Sequence, residues 1–234
     1  MSVKNGPGST QEDHEEQARA RTIVDHLSFH YPEAVCTLDH GSPWELLVGA
    51  ILASQCTDAR VNKITPHLFS RYPDIESMAS AERSEIEKII RSCGFFRMKG
   101  KALKGTATIL LEQFDGQVPS SAEDLIELPG VGRKITNLIL GDVFGEQAIV
   151  VDTHCGRISK LLGFTDSENP LRIERDLMEV LPHDSWTLWG HLLVAHGRII
   201  CKARCRDCFA CPVRGLCRYG KSLDPSAGVE GDCV

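Results

Sequence analysis

From residue 17 to residue 200 the apolar side chains recur at helical spacing almost without a break, and that periodicity limits the fold more than any other feature. Runs at 17–30, 44–53, 58–70, 83–93, 99–114, 122–127, 133–144, 153–162, 170–181 and 186–200 read as helices. Ser42-Pro43 supplies a cap followed by a proline at the first helical position. Residues 44–53 after it are apolar nearly all round, the pattern of a helix buried on every side. Gly94, Gly116, Gly145 and Gly163 stand where helix stops are expected. The β-branched stretch Ala148-Ile149-Val150-Val151 is short and reads as an extended connector. The fold class is therefore all-α, with helices too short and too unevenly spaced for a simple bundle. Hydrophobic residues at 42% and charged residues at 25% fit a folded globular chain and argue against disorder, collagen or coiled coil.

The longest uncharged apolar run, residues 46–53, falls far short of the ~20 residues a spanning helix needs. Residues 1–10 contain no apolar signal region. This reading expects no membrane partner and a compartment where thiols stay reduced: a nucleus, or, if the source is bacterial or archaeal, the cytoplasm in association with the nucleoid. Ten cysteines then call for a reason. Four of them, Cys201, Cys208, Cys211 and Cys217, form Cys-x6-Cys-x2-Cys-x5-Cys, a spacing that lets four thiolates wrap one metal centre. Zinc accepts four sulfurs, usually from paired Cys-x2-Cys knuckles; an iron–sulfur cube also takes four. Cys205 adds a fifth cysteine and leaves both open.

The net charge of −6 disfavours an anionic partner until its distribution is read. Residues 1–17 carry Lys4 against Glu12, Asp13, Glu15 and Glu16, and residues 221–234 carry Lys221 against Asp224, Glu230 and Asp232. Both ends read as mobile acidic tails. Residues 198–218 hold six basic side chains against Asp207 alone, and clustered sign matters more for nucleic acid than the total.

Two further segments carry chemistry. Leu128-Pro129-Gly130-Val131-Gly132-Arg133-Lys134 joins a short amphipathic helix to a longer one. A Gly-x-Gly link that opens a helix leaves backbone N–H groups bare, which suits either an anion site or a plain helix turn. Asp152, in Val150-Val151-Asp152-Thr153-His154, reads as the N-cap of the next helix. The helix 133–144 runs ~18 Å at ~1.5 Å per residue, and the return stretch 146–152 spans ~23 Å if extended. Asp152 can thus come back beside Lys134. A free lysine of pKa ~10.4 is protonated at neutral pH. A helix start supplies positive potential that favours the free amine, whereas a carboxylate favours the cation but accepts a proton.

Those segments, together with His196-Gly197-Arg198 leading into the four cysteines and Ser54-Gln55-Cys56-Thr57-Asp58 followed by Val61-Asn62-Lys63, resemble endonuclease III and its helix-hairpin-helix DNA glycosylase relatives over residues 18–220. The resemblance implies a two-domain helix-hairpin-helix DNA glycosylase fold with a C-terminal [4Fe-4S] cluster loop. It implies a central helical domain at 36–125, a second domain made of 18–35 and 126–220, and damaged double-stranded DNA lying across the cleft, bound by a monomer. The implied activity is removal of oxidised pyrimidines, with a nick made by β-elimination. Lys134 would attack the sugar C1′ and Asp152 would stabilise the charge that develops there. Cys201, Cys208, Cys211 and Cys217 would hold the cluster.

The same resemblance places Gln55 in the gap left by the flipped base and Lys202, Arg204 and Arg206 on phosphates. Gly130, Gly132 and Arg133 of the hairpin complete the DNA contacts. Either Phe95 or Phe96 would wedge the stack, and His154 would either touch DNA or cap its own helix. A monofunctional adenine-mismatch glycosylase would lack Lys134. A non-catalytic iron–sulfur DNA-binding module remains the alternative from another class.

Overall fold

The structure, a computed structural model, describes residues 11–223. Among them are twelve α-helices and no strand, apart from an isolated bridge between Cys201 and Arg206. No helix among the described residues is long and apolar enough to cross a membrane. The chain divides into two compact units, Cys36–Ala148 and a second made of residues up to Val35 and from Ile149 onward.

The first unit holds α2 (Pro43–Ala53), α3 (Asp58–Arg71), α4 (Ile75–Ser80), α5 (Arg83–Ile89), α6 (Phe96–Gln113), α7 (Ala122–Glu127) and α8 (Arg133–Phe144). Ser42 Oγ accepts from the Glu45 backbone N–H at 3.2 Å and Pro43 takes the first helical position. α2 starts where its sequence says, and Trp44 and every residue from Leu46 to Leu52 are buried. That helix is the axis of the core, packed with Leu103, Ala107 and Leu110 of α6 and with Ile139 and Leu140 of α8.

The second unit holds α1 (Gln11–His30), α9 (Thr153–Leu162), α10 (Pro170–Val180), α11 (Trp186–Ile199) and α12 (Arg218–Ser222). Its core gathers on the fully buried Trp189, with Ile23 and Leu27 of α1, Leu162 of α9 and Leu177 of α10.

Three differences from the sequence reading have local causes. Residues 11–16, assigned to a mobile tail, are the opening turns of α1. Glu12 and Asp13 suit the positive end of its dipole, and Gln17 Nε2 donates to the Glu179 carbonyl at 3.1 Å. The rest of that tail, and all of the other beyond residue 223, lie outside the described residues. α4 was not anticipated, because its six residues carry too few apolar side chains to show a period; a capping box between Asp74 and Ser77 starts it. The unit boundary falls at 148/149 rather than at 125/126. Leu125, Leu128, Val131, Ile139, Leu140 and Ala148 share one core with α2 and α6, so residues 126–148 pack with the unit that precedes them in the chain.

Candidate active site and metal centre

The hairpin is built from a turn that only glycine allows. Ser121 Oγ accepts from the Asp124 N–H at 3.1 Å to start α7, and the Val131 N–H donates to the Leu128 carbonyl at 3.0 Å to close the link. Gly130 has φ +81°, and a Cβ there would stand 2.9 Å from the Ala102 Cβ of α6, so both conformation and contact exclude a side chain. Thr106 Oγ1 donates to the Pro129 carbonyl at 3.0 Å and fastens the turn to α6. Gly132 is the N-cap of α8 and offers no side chain to the helix's first N–H groups, with nothing within 4 Å of where its Cβ would be. An uncapped, uncovered helix start of this kind receives anions. Arg133 and Lys134, the first two helical residues, are exposed beside it, while Thr136 and Asn137 behind them are buried.

Asp152 belongs to the second unit. Its Oδ1 accepts from the Cys155 N–H at 2.7 Å, capping α9. Burial, with the Asp152 charge adding to it, pushes the Cys155 thiol up to about 12. His154 does not do the capping. Its Nδ1 is buried without a hydrogen-bond partner, against Gly197 of α11, where a Cβ would collide with that nitrogen. Gly197 therefore allows α9 to lay its first turn on α11.

Gln55 and Phe95, both of the first unit, are exposed and share an uncommon backbone, with φ of +52° and +45°. Phe95 is 58% exposed, whereas Phe96 packs against the core with Arg97 over its ring. The aromatic presented to solvent is Phe95. Lys202 and Arg204 are exposed as well. Arg206 is set apart from them: half-buried, its guanidinium lies 5.5 Å from the centre of the Tyr219 ring, and it joins the wall around the cysteines.

Cys201, Cys208, Cys211 and Cys217 are free thiols lining one pocket, with Ile158, Leu162, Ile200 and Val213 among its apolar walls. Cys205 is not among the free thiols of the described residues. Burial first, then the repulsion of neighbouring thiolates, raises the Cys208 thiol, and burial raises Cys217 and takes Cys211 to about 11. Thiols raised in this way ionise together only beside a concentrated positive charge, which a metal centre provides. No three His, Cys, Asp or Glu side chains among the described residues stand close enough to grip a single ion.

The surroundings supply the hydrogen bonds such a centre needs. Arg157 Nη1 approaches Cys201 Sγ at 3.6 Å while its Nη2 donates to the Cys201 carbonyl at 2.7 Å. His196 Nε2 stands 3.6 Å from Cys211 Sγ, and its Nδ1 is 2.9 Å from the Tyr31 hydroxyl. Arg157 was missed in the sequence, where a lone arginine on an amphipathic helix gives no sign of a partner 44 residues away.

Residues 48–183 match the family model of the HhH-GPD superfamily base excision DNA repair proteins. The endonuclease III of Synechocystis sp. is 47% identical over 200 residues, 85% of this chain and 91% of that protein. The Bacillus subtilis endonuclease III is 38% identical over 208 residues, 88% and 95% of the two chains. The chain belongs to the endonuclease III family. It is a base excision repair DNA glycosylase with AP lyase activity. Among solved structures, a trapped endonuclease III–DNA covalent intermediate and a non-covalent endonuclease III–DNA complex both match with a TM-score of 0.83 and 38% identity. They cover 88% of this chain and 97% and 96% of theirs. The all-α reading and the resemblance drawn from the hairpin and cysteine motifs both stand within this endonuclease III assignment.

Proposed function

We propose that this endonuclease III family member removes oxidised pyrimidines from duplex DNA, with Lys134 as the nucleophile, Asp152 as its carboxylate partner and a [4Fe-4S] cluster on Cys201, Cys208, Cys211 and Cys217. The observation that carries the reading is the bare start of α8: Gly132 leaves the first N–H groups open for a phosphate, and Lys134 stands exposed at the same helix end. A phosphate seated there through Gly130, Gly132 and Arg133 places the neighbouring sugar within reach of the amine.

Lys134 gives its proton to a carboxylate, and Asp152 is suited to receive it. The amine attacks C1′, the C1′–base bond breaks, and its electron pair leaves with the base, which takes up a proton. The C1′–O4′ bond of the resulting N,O-acetal then breaks, O4′ takes up a proton, and a Schiff base remains. Loss of a C2′ proton then expels the 3′ phosphate, nicking the strand by β-elimination. Asp152 stabilises the positive charge that develops on the sugar. The flipped nucleotide must be replaced in the stack; Phe95 serves as the apolar wedge and Gln55 as the polar filler. His154, held against Gly197, stiffens the helix start that bears Asp152. The cluster, when bound, cross-links four points of the 201–217 segment.

The test of function is borohydride trapping on a duplex with one oxidised thymine. A covalent adduct is the expected result. Base release without an adduct would make the enzyme monofunctional, and neither product would reduce it to a binder.

The basic segment gives a separate measurable quantity. Each phosphate neutralised contributes ~0.9 to the slope of log affinity against log salt. With Lys202 and Arg204 exposed and Arg206 lying over Tyr219, the double alanine variant of the first two should lower the slope by about 1.8. Adding Arg206→Ala should change it little further. The loss should be the same on damaged and undamaged duplexes, because phosphates carry no lesion information. Titrations over a range of salt check this, and an unchanged slope would show that the segment faces away from DNA.

A further inference from the structure

The apolar stripe of α6 runs through Lys99, Ala102, Leu103, Thr106, Ala107 and Leu110, all buried. An ammonium at the head of such a stripe is costly to desolvate unless its hydrogens are used. Lys99 is 5% exposed, and its Nζ donates to the carbonyl oxygens of Leu52 at 2.9 Å and Cys93 at 2.7 Å. Leu52 lies in the last turn of α2, where carbonyls have no partner within the helix. Cys93 closes the 3-10 turn Arg91–Cys93 just before α6. The Cys56 and Cys93 thiols share a hydrogen bond and stand near the ammonium. Burial holds the ammonium below its ordinary value.

Gln55 follows Leu52 by three residues and Phe95 follows Cys93 by two. Both have positive φ, as does only Asp115 among the other described non-glycine residues. Left-handed backbone at a side-chain-bearing residue persists only where the surroundings over-determine it. The Lys99 tie acts on both segments at once.

We propose that Lys99 is a positioning residue: by binding the Leu52 and Cys93 carbonyls with one ammonium, it holds Gln55 and Phe95 at a set spacing, ready to enter the duplex together at the extruded nucleotide. The inference rests on the reading of Gln55 as filler and Phe95 as wedge given above. Lys99 touches no substrate. Two inserting side chains fixed before binding spare the complex the entropy of ordering them on DNA. Without the ammonium, the two buried carbonyls lose their donor and the segments drift apart in register.

The experiment compares Lys99→Met, Lys99→Gln and Lys99→Arg with Gln55→Ala and Phe95→Ala on two substrates. One is a duplex abasic site flanked by 2-aminopurine, whose fluorescence reports unstacking. The other is an abasic site in a single strand, which needs no extrusion. Lys99→Met should slow unstacking and duplex cleavage by about 100-fold, the size of loss that a remote ~1 Å misplacement produces. Its single-strand cleavage should stay within about twofold. Lys99→Arg, which keeps the donors and the charge, should recover most of the duplex rate, with Lys99→Gln between. Equal losses on both substrates, or a wild-type duplex rate in Lys99→Met, overturn the proposal. Should Lys99→Met not fold, Lys99→Gln is read by the same two criteria. If Gln55→Ala and Phe95→Ala unstack DNA at the wild-type rate, the underlying assignment falls and the proposal with it. If they lose unstacking while the Lys99 variants keep it, the proposal alone falls.

Discussion

Lys134→Gln abolishes the borohydride-trapped adduct on a duplex with one oxidised thymine, while affinity for that duplex stays within about twofold of wild type. The residue is exposed at the second position of α8, so its loss leaves no cavity and breaks no buried contact. The effect is one of kind, because a carboxamide has no amine to form a Schiff base. Asp152 gives a graded companion. Its Oδ1 caps α9 through the Cys155 N–H at 2.7 Å, and asparagine caps as well as aspartate does. Asp152→Asn therefore removes the charge and keeps the cap. Base excision should fall by about 10²–10³-fold, the usual size for one lost electrostatic stabiliser, with the melting temperature unchanged. Asp152→Ala should lose the activity and also about 1 kcal/mol of stability. Normal trapping by Lys134→Gln would remove it from the role of nucleophile.

With a [4Fe-4S] cluster on the four cysteines, as proposed above, Cys208→Ser should strip the iron and release the segment it would organise. Wild-type protein should be yellow-brown, with broad visible absorbance from thiolate-to-iron charge transfer and about four irons per chain. Among residues 201–217 only Val213 is fully buried, so that stretch has almost no apolar core of its own and depends on ligation for its shape. Loss of one thiolate should therefore cost the whole metal content together with the part of the salt dependence that Lys202 and Arg204 contribute. Cys205→Ser should leave the iron in place, since Cys205 is not one of the free thiols around the pocket. Metal analysis and limited proteolysis of both variants check this. One zinc and no iron in the wild type would replace the cluster with a different centre.

Most of the fold was legible because local chemistry wrote it. Ser42-Pro43 starts α2 as read, and Gly145 and Gly163 end α8 and α9 in the left-handed conformation that favours glycine. What was not legible depended on contacts distant in sequence. The close approach of Gly130 to Ala102, which leaves no room for a side chain at Gly130 and sets the hairpin against α6, joins residues 28 positions apart, and no period or cap announces it. The wedge was ambiguous for the same reason. Two adjacent phenylalanines are alike in sequence, and only the turn at Gly94-Phe95 decides that Phe96 goes inward. Lys99 did leave a trace, as a charged residue in register with the apolar stripe of α6. Its partners, two backbone carbonyls, have no sequence signature at all. The basic residues at 202, 204 and 206 alternate in sequence as though equivalent, and the ring of Tyr219 separates the third from the others.

The exposure of Lys202 and Arg204 on an otherwise acidic chain bears on how the enzyme searches. At physiological salt a charge is felt over about 8 Å, so a duplex that meets these two side chains senses them and not the net −6 of the whole molecule. A collision through an acidic part of the surface meets repulsion and ends quickly. Encounters are thus sorted by orientation before any base is inspected, and the time lost to unproductive residence on intact DNA is short.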